Sequence, residues 1–144
     1  MNLPTTEIEK LLPQRKPFVF IDELISVSEE KIVAKSVFTK DEAYFPGHFP
    51  DFPIVPGTVL IEALIQAGEA GANANASFPE ESLFFLATLD QVKLRRQVRP
   101  DDVVRFEITN IHISSRMIKQ KGAGYVDQDI VVEAEWMCVV GANN

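Results

Sequence analysis

The chain reads as an α+β protein, with a curled antiparallel sheet wrapped around one long helix. Three observations predict it. Residues 57 to about 71 form the one long helix-patterned run, with Leu60, Ile61, Leu64, Ile65 and Gly68 at helical spacing and Val59, Ala63 and Ala67 widening the apolar surface. A helix apolar nearly all round must be covered by other structure. Four strand-like runs follow it, at residues 83–94, 103–114, 117–126 and 130–140, and two precede it, at 18–27 and 31–39. One buried helix and about six strands are satisfied by a sheet folded over that helix. Such a sheet leaves an open edge, and pairing two edges makes a dimer the natural cover.

Each element has a local reason. Residues 5–12 suggest a short helix, capped by Thr5 or Thr6 and ended by Pro13. Glu29-Glu30 turns the first strand into the second. Residues 40–57 hold Pro46, Pro50, Pro53 and Pro56 with Gly47 and Gly57, a long stiff loop of the kind that carries function. Residues 72–82 are small and polar, a surface loop. The later strands are separated by Arg99-Pro100-Asp101-Asp102, by Ser114-Ser115 and by the turn residues Asp127-Gln128-Asp129. No repeat or linker divides the 144 residues, so residues 1–144 are read as one domain.

Composition excludes several classes. A net charge of −7 argues against a nucleic-acid partner. The longest apolar runs fall short of the roughly 20 residues that a membrane helix needs. No basic segment followed by an apolar one marks a secretory signal, and the single Cys138, in an apolar run, is expected to be a buried small hydrophobe. These points favour the cytoplasm. No histidine-rich cluster offers a metal site, and no cofactor is expected.

The chemistry concentrates between Phe45 and Gln66. His48 sits in the stiff loop between Gly47 and Phe49, framed by Pro46 and Pro50. Glu62 lies inside the apolar helix, which has no lysine or arginine. A buried carboxyl without a cation is pushed toward its protonated form, as a general acid near neutral pH requires. Pro56-Gly57 opens the helix, where the first N–H groups lack acceptors and carry partial positive charge. A base, an acid and a polarising helix end can remove a proton beside a carbonyl and expel a hydroxyl. Gln66, one turn beyond Glu62, is placed to hydrogen-bond near the site. Phe45, Phe49, Val59 and Ile61 are candidates for lining an acyl tunnel or for plain core. Glu69, near Gly68 and Gly71, is expected to be solvated, and His112, alternating with isoleucines, to lie on a polar strand face. Lys93, Arg95, Arg96 and Arg99 concentrate positive charge, either as a solvated strand end or as a docking patch for an acidic partner. Arg15 and Lys16 are possible additions, and strand alternation would set Arg95 and Arg96 on opposite faces.

These residues carry a resemblance. The block Gly47-His48-Phe49-Pro50, with Pro53, Pro56-Gly57 and Glu62 through Gln66, resembles the 3-hydroxyacyl-acyl-carrier-protein dehydratases of the FabZ type. The similarity extends to LPQRKPF at residues 12–18 with Asp22, to Phe85, Asp90 and Lys93 through Arg96, and to EAEWMC at residues 133–138. Gln14 stands where that family usually has histidine, Asp51-Phe52 replace its usual pair, and Asp101 replaces a turn glycine. The resemblance implies the hotdog fold and a hydro-lyase that turns (3R)-3-hydroxyacyl carrier thioesters into trans-2-enoyl thioesters in fatty-acid or related acyl-chain biosynthesis. It implies His48 and Glu62 as the catalytic pair, with active sites shared across a homodimer that can build a hexamer. It also implies the Gly57 N–H as the thioester-carbonyl donor, while the residues' own placement and charge make Gln66, Phe49 and Val59 candidates for substrate contact and Arg95, Arg96 and Arg99 candidates for docking an acyl carrier protein. A thioesterase or CoA-dependent hydratase on the same fold, and a non-catalytic acyl-thioester-binding subunit, are the alternatives.

Overall fold

The computed structural model describes residues 2–76 and 78–142. Seven antiparallel strands form one sheet: β1 (Asn2–Thr5), β2 (Glu23–Val27), β3 (Lys31–Val37), β4 (Ser82–Leu94), β5 (Val103–Ile113), β6 (Met117–Val126) and β7 (Asp129–Ala142), in the order β1-β2-β3-β5-β6-β7-β4. The single α-helix among the described residues, α1 (Gly57–Ala76), packs across β2, β3, β5, β6 and β7. This is the helix-in-sheet architecture expected from the sequence.

Alternation explains the inner face. Ile32 and Ala34 of β3, Val104, Phe106 and Ile108 of β5, and Val132, Ala134, Trp136 and Cys138 of β7 point inward at period two and are all buried. Leu60, Ala63, Leu64, Ala67 and Ala70 of α1 meet them. Each of the larger side chains contributes about 1.5–3 kcal/mol of burial. One polar knot fixes the depth of the helix. Gln120 of β6, fully buried, donates to the Gly68 carbonyl at 3.0 Å and to Asn110 Oδ1 at 2.8 Å, and accepts from Trp136 Nε1 at 3.0 Å. A Cβ at Gly68 would collide with Gln120 Oε1 and touch Trp136. Farther along, a Cβ at Gly71 would come within 2.5 Å of Ile32.

Four elements differ from expectation. Residues 5–12 hold no α-helix, because the chain enters as β1 against β2 and leaves only a single 3-10 turn at Ile8–Lys10. Of the strand expected at residues 18–27, only Glu23–Val27 pairs in the sheet. The preceding segment spends its backbone groups on side chains instead: the Phe20 N–H donates to Gln66 Oε1 at 3.0 Å, and the Phe18 carbonyl accepts from Gln66 Nε2 at 3.1 Å. Helix α1 runs to Ala76, not Gly71. Asn73 secures that extra length, donating to the Leu11 carbonyl at 3.1 Å and accepting from the Phe78 N–H at 3.1 Å. The seventh strand, β1, was not visible as a sequence pattern.

β4 lies at the open edge of the sheet, and its middle and end stay exposed: Phe85, Leu86, Leu89, Val92 and Leu94 are each more than one-third accessible. Among the described residues no helix is long and apolar enough to cross a membrane.

Candidate active site

The loop before α1 makes one 3-10 turn, Phe45–Gly47, anchored by buried Phe45, and His48 follows as its C-terminal residue. The His48 ring is half-buried, and its Nδ1 lies 3.1 Å from the Ile54 carbonyl oxygen. A carbonyl only accepts, so this bond holds the proton on Nδ1 and leaves Nε2 with its lone pair. Phe49, at φ 54 and largely exposed, stacks beside the ring at 4.5 Å between centroids.

Pro56 supplies the first helical acceptor, taking the Val59 N–H at 2.9 Å and the Leu60 N–H at 3.2 Å. The Gly57 and Thr58 amides precede that bond, where a helix has no acceptor of its own. Gly57 opens on a cavity of about 320 Å³ lined by Ile54, Val55, Leu94, Arg95 and Arg96, among others. A Cβ at Gly57 would lie 2.5 Å from Leu94 Cδ1, so a side chain there would have to push aside the end of exposed Leu94. Val59 and Ile61 are half-buried against the core, and Phe45 is within it.

Glu62 is half-buried on α1 and accepts from Gln66 Nε2 at 2.9 Å. Burial raises its pKa above the ordinary 4.5, and the Gln66 hydrogen bond acts the other way. Gln66 is fully buried, its Nε2 shared between Phe18 and Glu62 and its Oε1 taken by Phe20. That places it behind Glu62, locking the carboxyl to the 18–20 segment. Neither described bond joins His48 to Glu62: one reaches Ile54 and the other Gln66.

Glu69 is a correction. It is 3% exposed, not solvated. Burial first, then the Glu62 charge, push its carboxyl up to about 8, while a Gln14 side-chain hydrogen bond opposes the shift. Glu69 is therefore mostly protonated at neutral pH. The signal was present in its spacing, since positions i, i+4 and i+7 (Glu62, Gln66, Glu69) share a helix face. Cys138 is buried as expected, with its thiol pushed up to about 12 by burial and by the Glu69 and Glu62 charges. His112 is exposed on β5.

The arginines are also rearranged. Strand β4 ends at Leu94, so alternation does not govern Arg95 and Arg96, and both line the Gly57 cavity. Arg95 pairs with Glu133, and Arg96 pairs with Asp129 at 3.0 Å. Arg99 stacks its guanidinium over Phe52, 4.8 Å from the ring centroid. Arg15 is held by Glu9 and by the Leu12 carbonyl.

Comparison with known proteins agrees with this geometry. A FabA-like domain model matches residues 12–135. The chain is 36% identical over 141 residues to the 3-hydroxyacyl-acyl-carrier-protein dehydratase FabZ of Clostridium perfringens, covering 98% of this chain and 99% of that one. It is also 36% identical over 139 residues to the FabZ of Pelotomaculum thermopropionicum, covering 96% and 99%. In fold it is similar to the dehydratase heterocomplex ApeI:P from Xenorhabdus doucetiae, with a TM-score of 0.82 at 17% identity, covering 100% of this chain and 93% of that one. With a family model spanning most of its length and full-length relatives above 30% identity, the chain belongs to the FabA-like family of hotdog dehydratases.

Proposed function

We propose that the protein dehydrates (3R)-3-hydroxyacyl thioesters on acyl carrier protein to trans-2-enoyl thioesters, in fatty-acid or related acyl-chain biosynthesis. The observation that carries this is the opposite preparation of two groups. His48 presents a bare Nε2 because Nδ1 is tied to Ile54, and Glu62 is shifted toward keeping its proton. One is readied as a base and the other as an acid.

His48 Nε2 takes a proton from C2. The electron pair moves toward the thioester carbonyl, whose oxygen is held at the Gly57 N–H. As the C2–C3 double bond forms, the C3–O bond breaks, and Glu62 protonates the departing hydroxyl to release water. The His48 proton then returns through solvent to Glu62, closing the cycle. Gly57 suits the carbonyl because the helix end offers unpaired N–H groups and positive potential.

Glu62 is read as reaching a His48 of a second subunit. The exposed apolar side chains along edge strand β4 support a homodimer, and dimers of this kind can assemble into a hexamer. A cytoplasmic setting is part of the proposal, and the lone buried Cys138 is compatible with it.

The test is turnover of purified protein on carrier-linked and CoA-linked 3-hydroxyacyl substrates. Enoyl product without free thiol is expected, with the carrier-linked form preferred. Release of thiol without enoyl product would replace the reading with a thioesterase. Carrier docking is assigned first to Arg99, since Arg95 and Arg96 are each neutralised by a carboxylate while Arg99 meets an aromatic ring. Arg99→Glu is expected to raise KM for carrier-linked substrate on the order of 10-fold at low salt, with the effect fading as salt is added. A small uncharged thioester should be turned over almost as before. Equal harm to both substrates would make Arg99 structural.

A further inference from the structure

Leu94 closes β4 and is 53% exposed, yet the end of its side chain rests on the first residue of the helix. The place a Cβ would take on Gly57 is 2.5 Å from Leu94 Cδ1, 3.4 Å from Cδ2 and 3.5 Å from Cγ. Ile54, Val55, Leu60, Leu94 and Val98 give the Gly57 cavity its apolar wall. Val55, Leu60 and Val98 are buried core, so Leu94 is the member of that wall left open to solvent.

A bulge in β4 aims this side chain. Asp90 pairs with Glu135 and Lys93 with Glu133, so Gln91 and Val92 together stand opposite Ala134. Gln91 takes a left-handed φ of 53, uncommon for a residue with a side chain. In an uninterrupted strand, period-two alternation would set residue 94 on the outer face with Asp90. The extra residue reverses that sense, and Leu94 pairs with buried Val132 on the helix side. The Arg95 N–H donates to the Val131 carbonyl at 2.9 Å, which fixes the strand end behind it.

We propose that Leu94 is a positioning residue for the dehydration, covering the thioester carbonyl at the Gly57 N–H and keeping water from that bond. The inference rests on the dehydratase reading. The backbone of Leu94 is paired while its end is free, so the side chain swings aside for the carbonyl and settles over it. As the C2 proton leaves, negative charge grows on the carbonyl oxygen. Under Leu94 the amide meets that charge with less water nearby, where a fixed donor is worth more. The gain is larger in the transition state than in the ground state, so it acts on kcat more than on KM.

Leu94→Ala is expected to lower kcat on carrier-linked 3-hydroxyacyl substrate on the order of 10-fold, with KM changed less than about 3-fold. Leu94 is more than half exposed, so its truncation removes little core. Leu94→Met restores the apolar bulk and should return kcat to within about 2-fold of wild type. A second readout needs no turnover. A saturated acyl-pantetheine thioester, isotope-labelled at its carbonyl, has no hydroxyl to expel. Bound to wild type, its carbonyl stretch should fall below the value in buffer. That downshift should shrink in Leu94→Ala and persist in Leu94→Met. Sedimentation of each variant separates assembly from chemistry: activity lost through a smaller assembly would place Leu94 in the subunit contact and overturn its role. A wild-type kcat in Leu94→Ala, a loss carried wholly by KM, a loss that methionine does not restore or an unchanged carbonyl shift would overturn it too. Wild-type protein that gives no enoyl product would instead overturn the dehydratase reading itself.

Discussion

His48→Ala and Glu62→Gln are each expected to lower turnover by about 10² or more, the scale of a general acid or base, while both proteins stay folded. His48 lies on a half-exposed loop with one backbone contact, so its loss removes little packing. Glutamine at position 62 keeps a partner for Gln66 while removing a carboxyl that burial already disfavours. The pH profile has a definite sense. Glu62 must be protonated to work, and its pKa is raised from 4.5, so activity should persist above the ordinary carboxylate range and fall as pH climbs further. Mixing gives a sharper result. If each site takes His48 from one subunit and Glu62 from the other, hybrids of the two inactive variants regain one intact site. Randomly exchanged subunits should then recover about a quarter of wild-type sites. No recovery after verified exchange would put both groups in one subunit, and near-normal rates in either single variant would remove that residue from the mechanism.

Glu69→Gln is expected to stabilise the protein at neutral pH, by an amount that grows with pH. The folded carboxyl titrates near 8 and the unfolded one near 4.5. Below 4.5 both states hold the proton and Glu69 contributes nothing. Between 4.5 and 8 the unfolded chain releases a proton that the folded chain keeps, so wild-type stability declines through that window and levels off above it. Glutamine does not titrate, so the variant's advantage should open over the same window and reach on the order of 5 kcal/mol at its upper end. Urea unfolding of both proteins at several pH values measures the gap. A gap that does not change with pH would mean that Glu69 is ionised in the folded state.

The parts of the fold legible in the sequence were those whose pattern is local. Helix α1 declared itself by its apolar spacing from Leu60 to Gly68, and β5, β6 and β7 by alternation that matches the burial of Phe106, Ile118 and Trp136. What escaped was decided by distant partners. The strand character of Asn2–Thr5 exists only against β2. The backbone of Phe18 and Phe20 is satisfied by Gln66, nearly fifty residues away, and no local pattern announces that. At the site, Glu62 stood out because a lone acid on an apolar helix is conspicuous. Glu69 did not, because the neighbouring glycines looked like a solvated helix end. Its burial follows from those same glycines, which let α1 sink against Gln120 and Ile32. The faces of Arg95 and Arg96 were misjudged because alternation was carried two residues past the end of β4.

Gly68 acts as a keyway in this architecture. With no side chain, it lets Gln120 grip the helix backbone while Trp136 closes over the same point. A helix held at one such notch cannot roll or slide without breaking the Gln120–Gly68 bond and driving its backbone into Gln120 and Trp136. The bearing of Glu62, less than two turns away, is thereby set by an atom that is missing from the middle of the core. Attempts to retune the acid by changing its immediate neighbours will be opposed by this anchor. A shift in where the carboxyl points is more readily made by recutting the notch, with paired changes at Gly68 and Gln120, than by substitutions within reach of the substrate.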